Sequence, residues 1–284
     1  MPVESHAGNS LTERQTLCRK DTHTRMNTLQ LSDGQWSSLY NLFSFGLISM
    51  LATTVYTLVA QNRVLPKYRI ALVMSSMVTF IAAYHYFRIF NSFNEASSNG
   101  GVLVGTGQGD FNEAYRYVDW ILTVPLLLVE VVAVLALAKD VAKSLMTRLV
   151  VASSAMIILG YPGEISTSNS SKMLWFVLSM IPFVYILYVL FVELTKSLDR
   201  QPEGVAGKIG NLRTLLLVTW LVYPISYLIP VFITDPSASE AASLFTYRQV
   251  GYTIADVLAK CLFGLVVFNI ARTKSAAEGM AEAH

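Results

Sequence analysis

Charged residues are scarce in this chain. They make up 14% of its 284 residues, while hydrophobic residues make up 53%; an ordinary soluble domain carries about 25% charged residues. This shortage excludes a soluble globular protein and indicates a protein embedded in a membrane. The formal net charge is +2, and the basic residues do not gather on one predicted face, so we expect no nucleic-acid partner.

Cysteine is also scarce, with only two residues in the whole chain. Cys18 lies in a polar segment near the amino terminus, whereas Cys261 lies inside an apolar run. Two residues so far apart, in such different surroundings, predict neither a disulfide nor a metal site. Residues 1–30 also lack the apolar core of a signal peptide, so we predict that they form a polar amino-terminal extension.

Long apolar runs, by contrast, are abundant. About 20 apolar residues are needed to cross a bilayer as a helix. Seven segments satisfy this requirement, at 35–60, 68–92, 112–138, 142–162, 171–196, 209–233 and 244–272. The sequence therefore predicts an all-α membrane protein, a bundle of seven transmembrane helices in a domain spanning 31–274, followed by a short tail at 275–284. The loop 93–111 is rich in Gly and Ser, which predicts either a small hairpin or a mobile segment.

The loops differ in their content of Lys and Arg. Those after the first, third, fifth and seventh segments are flanked by Arg63, Lys67, Arg69, Lys139, Lys143, Arg148, Lys196, Arg200, Lys208, Arg213, Arg272 and Lys274. The opposite loops contain almost none apart from Lys172. Because loops rich in Lys and Arg stay in the cytoplasm, the amino terminus is predicted to be extracellular and the carboxyl terminus cytoplasmic.

A lysine near the middle of the seventh segment is the most informative residue. Lys260 lies in the apolar run 252–271 with Asp256 one helical turn before it, so both residues share one helix face. A Lys or Asp at the centre of a membrane helix costs about 2.5–3.5 kcal/mol, and such residues usually face the protein interior and pair with each other. We therefore predict a functional site at this pair.

The third segment adds three polar residues on one helix face. Asp119, Thr123 and Glu130 point in nearly the same direction, because each residue of a helix turns by about 100°. The eleven residues from Asp119 to Glu130 rise about 16 Å, so two carboxyl groups lie at different depths. Considered alone, the position of Glu130 is also consistent with a side chain that extends to the membrane surface. The position of Arg116 is likewise consistent with an anchor at the membrane interface.

A histidine in the second segment is predicted to lie near this face. His85 lies about seven residues before the outer end of its segment, and Asp119 about seven residues after the outer start of the third. A His beside a buried carboxylate would pair with the charged form of that carboxylate. Considered alone, His85 is equally consistent with a hydrogen-bond donor that helps two helices to pack.

Aromatic residues form a stripe on the sixth segment. Trp220, Tyr223 and Tyr227 lie on one face, and Pro224 is expected to kink the helix. The stripe alone is typical of core packing, but with Trp120 of the third segment it would provide two aromatic walls around a flat hydrophobic ligand. A lysine amine in an apolar pocket condenses with an aldehyde to form a Schiff base, whose protonated form needs carboxylates as counter-ions.

These residues resemble the microbial, or type 1, rhodopsins, and among them the light-driven proton pumps of the proteorhodopsin and xanthorhodopsin group. The motifs are Arg-Tyr-Val-Asp-Trp-Ile-Leu-Thr-Val-Pro-Leu-Leu-Leu-Val-Glu at 116–130, Trp-Leu-Val-Tyr-Pro at 220–224 and Asp-Val-Leu-Ala-Lys at 256–260, and the resemblance covers about residues 35–272. It implies that all-trans-retinal is bound covalently to Lys260 as a Schiff base. It also implies a protein of the plasma (inner) membrane that forms a homo-oligomer, either a trimer or a pentamer.

The resemblance implies roles for the polar residues. Asp119 and Asp256 correspond to the counter-ion pair, with Asp119 also the proton acceptor and His85 its partner. Glu130 corresponds to the cytoplasmic proton donor, and Arg116 to an arginine that moves as charge passes outward. The corresponding retinal-pocket positions are Trp120, Leu127, Met156, Gly160, Ser179, Phe183, Trp220, Tyr223, Pro224 and Tyr227. Leucine at position 127 is associated in the family with absorption of green light.

The ion type follows from the same resemblance. Asp119, Thr123 and Glu130 match outward proton pumps, whereas sodium pumps of the family have Asn, Asp and Gln, and chloride pumps lack the first carboxylate. A photosensor that signals to a partner protein shares the retinal site, but many sensors lack a carboxylate at the position of Glu130. A light-gated channel is disfavoured because two carboxylates suit stepwise transfer, and a seven-helix receptor unrelated to retinal leaves Lys260 unexplained.

Two positions depart from the family pattern. Xanthorhodopsins that bind a carotenoid antenna have a glycine that opens the wall of the fifth helix, whereas this chain has Phe176 after Trp175. The phenyl ring is expected to close that opening, so no carotenoid antenna is predicted. Arg248 occupies a place where bacteriorhodopsin has a carboxylate of its proton-release group, so the timing of proton release is expected to differ.

Overall fold

Seven long helices run through the part of the chain that the computed structural model describes, which is residues 28–98, 101–104, 110–166 and 168–279. The helices are α1 (Asp33–Ala60), α2 (Pro66–Ala96), α3 (Ala114–Leu135), α4 (Lys139–Glu164), α5 (Asn169–Tyr188), α6 (Val205–Phe232) and α7 (Ala238–Ala277). All seven, α5 together with the helical turns that follow it, are long and apolar enough to cross a membrane. The predicted seven-helix membrane bundle is confirmed.

Two of the helices contain or run into a π-helical turn. α5 is followed by a π-helical turn, Val189–Glu193, and a 3-10 helix, Leu194–Arg200. α7 is continuous, but it widens into a π-helical turn at Val257–Leu262. Such turns are rare and often occur at functional sites. The π-helical turn of α7 contains Lys260, which no periodicity in the sequence indicates.

Local sequence explains where several helices begin. Ser32 accepts a hydrogen bond from the backbone N–H of Gln35, and the Gln35 side chain accepts one from the backbone N–H of Ser32. Ser237 and Glu240 form the same reciprocal pair at the start of α7. Pro66 starts α2, where its missing N–H costs no helical hydrogen bond. These residues satisfy or remove N–H groups that the first helical turn leaves without partners.

The end of α3 comes three residues earlier than the predicted boundary at 138. Ala136 adopts a left-handed backbone with φ of 49°, which stops the helix. The ammonium group of Lys274 donates hydrogen bonds to the carbonyl oxygens of Val134 (3.1 Å) and Leu135 (2.8 Å). It thereby satisfies acceptors that a further helical turn would have used. Because Lys274 comes from α7, the local sequence of α3 does not reveal this boundary.

A small antiparallel sheet lies at one end of the bundle. Its strands are β1 (Thr28–Gln30), β2 (Ser97–Ser98) and β3 (Gly101–Leu103), in the order β1-β3-β2. Of the two alternatives for the loop 93–111, the described residues form the hairpin. Residues 1–27, with Cys18, and residues 280–284 lie outside the described part of the chain. We call the end with the sheet the amino-terminal side and the opposite end, where α7 finishes, the carboxyl-terminal side.

Polarity is distributed as expected for a membrane protein. Large apolar side chains face outward, for example Val59 and Phe232, each 72% exposed, as they do where helices meet lipid. Charged side chains lie inside instead, namely Arg116, Asp119, Glu130, Arg213, Asp256, Lys260 and Lys274. Because a membrane interior penalises unpaired charge, the partners of these residues define the candidate site.

Candidate functional site

Lys260 lies inside the bundle with only 2% of its surface exposed. Its ammonium nitrogen, Nζ, donates hydrogen bonds to Asp119 Oδ2 on α3 (2.5 Å) and to Asp256 Oδ1 on its own helix (2.9 Å). Both carboxylates are buried, with 3% and 1% exposed. The structure thus brings the lysine of α7 together with carboxylates from two predicted segments. Pairing of this kind stabilises charges that would be costly alone.

The two carboxylates have different surroundings. Asp256 accepts hydrogen bonds on both oxygens, from Tyr223 (2.7 Å) on Oδ1, and from Tyr86 (2.8 Å) and Arg116 (3.4 Å) on Oδ2. Asp119 uses Oδ2 for the lysine, but its Oδ1 accepts no hydrogen bond from a described residue. Donors therefore surround the charged form of Asp256, whereas Asp119 keeps one oxygen available for a proton.

His85 and Thr123 both lie beside Asp119. The Nδ1 atom of His85 is 3.6 Å from Asp119 Oδ1, which is too far for a hydrogen bond, and it lies 2.9 Å from the backbone oxygen of Ile81. The Thr123 hydroxyl donates to the backbone carbonyl of Asp119 (2.9 Å). The predicted proximity of the histidine and the carboxylate is therefore present, while the direct hydrogen bond is not.

A chain of polar side chains leads from the buried carboxylates toward the amino-terminal side. Arg116 donates to Gln249 Oε1 (2.8 Å), and Gln249 Nε2 donates to Glu113 Oε1 (2.7 Å). Arg248 then connects Glu113 Oε2 (2.5 Å) with Glu164 at the end of α4. Arg116 is only 2% exposed, so it does not lie at the membrane interface. The network instead reaches from the lysine site to the edge of the bundle.

Several members of this network were missed by sequence reasoning. Glu113 and Glu164 lie at helix ends, where acidic residues are ordinary, and Tyr86 and Gln249 carry no motif of their own. The one available signal was Arg248, whose charge on the predicted outer side required acidic neighbours. The structure places its guanidinium between two glutamates, and only the packing of α3, α4 and α7 brings these residues together.

An apolar cavity adjoins Lys260 between α3, α4, α5, α6 and α7. Every predicted pocket position lines this cavity, namely Trp120, Leu127, Met156, Gly160, Ser179, Phe183, Trp220, Tyr223, Pro224 and Tyr227. Phe176, whose ring was expected to close the wall of the fifth helix, lines it as well. The structure further adds Tyr117, Val124, Ile157, Met180, Tyr252 and Ala259 to the lining. These additional residues were missed because, in an apolar helix, no sequence signal distinguishes a cavity wall from ordinary core.

Aromatic rings form much of the cavity wall. The Trp120 ring packs against the Tyr223 ring, with centroids 4.8 Å apart, and against the Tyr252 ring at 5.7 Å. On another part of the wall, Phe176 stacks on Tyr227 at 5.6 Å. Such walls bury the faces of a flat apolar molecule, and the lysine amine beside them can bond to an aldehyde. The residues present therefore fit the retinal that the sequence resemblance implies.

Glu130 lies on the carboxyl-terminal side of Lys260 and is 0% exposed. The Ser75 hydroxyl of α2 donates a hydrogen bond to its Oε1. The other oxygen, Oε2, has no hydrogen-bond partner among the described residues. Its side chain therefore does not reach the membrane surface, and the two carboxyl groups of α3 lie on either side of the lysine along the bundle axis.

A seven-helix membrane bundle with a buried lysine between two carboxylates, next to an aromatic cavity, defines a rhodopsin-like membrane protein. Comparison with known sequences agrees with this class. The chain belongs to the family described as bacteriorhodopsin-like protein, whose sequence model matches residues 38–274. Within this family it is a microbial rhodopsin of the proteorhodopsin and xanthorhodopsin type, and an integral protein of the plasma membrane.

Its relatives extend over nearly the whole bundle. A green-light absorbing proteorhodopsin of Gamma-proteobacterium EBAC31A08 is 32% identical over 244 residues, which is 84% of this chain and 89% of the relative. The crystal structure of xanthorhodopsin, described as a light-driven ion pump with dual chromophore, is 46% identical, with a TM-score of 0.80 over 89% of this chain and 99% of that one. A thermophilic rhodopsin is 42% identical, with a TM-score of 0.80 over 88% and 98%.

Proposed function

We propose that this protein is a light-driven pump that moves protons outward, with all-trans-retinal bound as a Schiff base to Lys260. The observation that carries the proposal is the Lys260 amine, held between Asp119 and Asp256 at the aromatic cavity. The similarity to a green-light absorbing proteorhodopsin and to a light-driven ion pump supports it. Leu127 in the cavity lining supports absorption of green light.

Residues of the cavity hold and protect the cofactor in this proposal. When bound, retinal would supply the absorption of light and a light-driven change of shape next to the Lys260 nitrogen. Trp120, Trp220 and Tyr223 of the cavity lining would hold the flat chromophore between their rings, and the two carboxylates would stabilise the positive charge on the nitrogen. The site is buried and its surroundings are largely apolar, which strengthens these electrostatic interactions.

Asp119 takes the proton from the Lys260 nitrogen. Its Oδ2 atom already lies 2.5 Å from Nζ, and its Oδ1 accepts no hydrogen bond from a described residue. Asp256 stays charged because Tyr223 and Tyr86 donate to it. His85, whose Nδ1 is 3.6 Å away, lies close enough to reach the acceptor by a small ring rotation. Once Asp119 is neutral, the electrostatic attraction between the site and the Arg116 guanidinium is weaker.

Release of the proton follows the polar chain toward the amino-terminal side. Arg116 is hydrogen-bonded to Gln249, and Gln249 to Glu113, so a movement of the guanidinium is transmitted to the cluster at the edge of the bundle. There Arg248 is shared between Glu113 and Glu164. One carboxylate of this cluster takes the proton from Asp119, which becomes charged again, and then loses that proton to the outer solution.

Glu130 returns a proton to the Lys260 nitrogen from the other side. It lies on the same face of α3 as Asp119, on the carboxyl-terminal side of the lysine. Loops rich in Lys and Arg support placing that side in the cytoplasm. Glu130 carries the proton at rest, since a buried carboxyl group without a cation is costly to ionise. Uptake on one side and release on the other make the transport outward.

Replacing Glu130 by Gln is expected to slow the return of flash-excited protein to its dark state by about 100-fold, since positioned proton donors contribute roughly 10²–10⁴-fold to such steps. Glutamine keeps the size of the side chain and the Ser75 hydrogen bond, but it cannot release a proton at neutral pH. Transient absorption of the purified, retinal-loaded protein after a single flash measures the rate. Glu193→Gln, at an ion pair with Arg148, is the control, and its recovery should match that of the wild type.

A photosensor is the alternative that uses the same lysine and cavity. A sensor needs no second proton carrier, whereas Glu130 is buried with Ser75 as its hydrogen-bond donor on the uptake side. This observation favours the pump. The two functions differ in net transport: a pump acidifies the medium around illuminated cells, while a sensor has colour and leaves the pH unchanged.

No carotenoid antenna is part of the proposed function. The Phe176 ring lines the cavity and stacks on Tyr227, with centroids 5.6 Å apart. A second chromophore in contact with the cavity at this wall would have to displace that ring. The xanthorhodopsin relative is described as having a dual chromophore, and Phe176 is the residue to which we attribute the difference.

A further inference from the structure

A buried glycine in the middle of α1 lies against a tyrosine that contacts the charged site. A Cβ atom added at Gly46 would lie 2.6 and 2.7 Å from two ring carbons, Cε1 and Cδ1, of Tyr86 on α2. It would also lie 3.3 Å from the methyl group of Thr253 on α7. Carbon atoms in contact are about 3.5–4.0 Å apart, so the tyrosine ring occupies the space that a side chain at position 46 would need.

The Tyr86 ring supports the charged site in two ways. Its hydroxyl group donates a hydrogen bond to Asp256 Oδ2 (2.8 Å), the oxygen to which Arg116 also donates (3.4 Å). The Arg116 guanidinium lies over the same ring, 5.9 Å from its centroid, which is within the range of a cation–π contact. One ring therefore stabilises the negative charge of Asp256 and contacts the arginine beside it.

The packing leaves this ring little freedom to avoid a larger neighbour. Tyr86 is 1% exposed and belongs to the apolar core. Two pairs of buried hydroxyl groups join α1 to α2, Thr54 with Thr79 (2.8 Å) and Thr57 with Ser76 (2.7 Å). Separating the two helices would disturb these hydrogen bonds. A methyl group at position 46 would therefore displace the ring and, with it, the hydroxyl group.

We propose that Gly46 is a positioning residue for the Asp256 carboxylate: because it lacks a side chain, Tyr86 can approach and donate to that carboxylate. The inference rests on the proposed function, in which Asp256 stays charged while Asp119 takes the proton. A hydrogen bond from Tyr86 stabilises the charge of Asp256 and weakens its attraction for the Lys260 nitrogen. The glycine thereby helps to keep the two carboxylates of the site unequal.

Replacing Gly46 by Ala tests the inference in the retinal-loaded protein. We expect the absorption maximum in mildly alkaline buffer to move to shorter wavelength, as in Tyr86→Phe. The reason is that an Asp256 carboxylate with fewer donors holds the positive charge of the Lys260 nitrogen more strongly. The double variant Gly46→Ala/Tyr86→Phe should absorb where Tyr86→Phe absorbs, because the hydroxyl group that the methyl group would displace is already absent.

A matched control and a measurement without retinal complete the test. Gly34→Ala in the same helix places its Cβ 4.0 Å from Ser32 Oγ, an ordinary contact, so its absorption maximum should equal that of the wild type. In the retinal-free protein, Gly46→Ala should lower the midpoint of thermal unfolding by several degrees. It should lower the midpoint much less in a Tyr86→Val background, because valine lacks the ring atoms that the methyl group meets. If Gly46→Ala alone does not fold, the double variant with Tyr86→Val should fold.

The outcomes distinguish the inference from the function on which it rests. A wild-type absorption maximum in Gly46→Ala, or an equal loss of thermal stability with and without the Tyr86 ring, would overturn the positioning role and leave the pump standing. A shift that adds fully to that of Tyr86→Phe would overturn it too, because the glycine would then act through another group. A visible band in Lys260→Ala would overturn the proposed site itself. Matching shifts in Gly46→Ala and Tyr86→Phe, with none in Gly34→Ala, support the inference.

Discussion

Lys260→Ala is expected to abolish both the visible absorption band and light-driven transport. Alanine has no amine to condense with an aldehyde, so retinal that enters the cavity stays unbound. The substitution also leaves Asp119 and Asp256 buried without the cation that lies 2.5 and 2.9 Å from them, and loss of one partner of a buried ion pair costs about 3–5 kcal/mol. Absorption spectra after addition of all-trans-retinal, at equal protein amounts, measure the first effect.

The matched control for this variant is the other buried lysine of α7. Lys274 is 3% exposed, but it contacts the end of α3 and lies outside the cavity lining. Lys274→Met should therefore keep the absorption band, even though loss of its hydrogen bonds to two carbonyl groups lowers stability. A visible band in Lys260→Ala would show that another group holds the chromophore.

Asp119→Asn is expected to stop transport and to shift the absorption maximum to longer wavelength. Asparagine cannot take up the proton of the Lys260 nitrogen, and transport should fall by at least about 100-fold, as for other positioned acid–base groups. The shift follows because a negative charge 2.5 Å from the nitrogen holds positive charge there in the dark. Removing that charge lets the positive charge spread along the conjugated chain. Spectra and light-driven pH changes in cells measure the two effects.

The comparison of Asp119 with other carboxylates is the control for this prediction. Asp140→Asn at the exposed start of α4 should leave both the spectrum and the transport unchanged. Asp256→Asn should disturb Tyr86, Tyr223 and Arg116 as well, because all three donate to that carboxylate. Full transport in Asp119→Asn would contradict its role as acceptor.

Sequence alone predicted the seven helices and the central ion-paired residues, for a physical reason. A membrane excludes charge, so Lys260 and Asp119 stood out against apolar neighbours, and helical spacing placed Asp256 on the same face as the lysine. The aromatic stripe of α6 was visible in the same way. Each of these signals belongs to a single helix, and each is strong because the bilayer allows few exceptions.

Features that arise between helices were not predictable. The π-helical turn around Lys260 depends on how α7 packs, and the end of α3 depends on a lysine from α7. The shared position of Arg248 between Glu113 and Glu164 depends on the ends of three helices meeting at one side. Such contacts cannot be predicted from local sequence, because each partner is an ordinary residue in its own segment.

The measurement that tests the central claim most directly is the pH outside illuminated cells. Cells that produce the protein with all-trans-retinal are suspended without buffer and exposed to light, with and without a protonophore, beside cells that produce Lys260→Ala. The account predicts acidification in light that the protonophore abolishes and the variant lacks. A coloured protein without a pH change, or alkalinisation that the protonophore enhances, would contradict an outward proton pump.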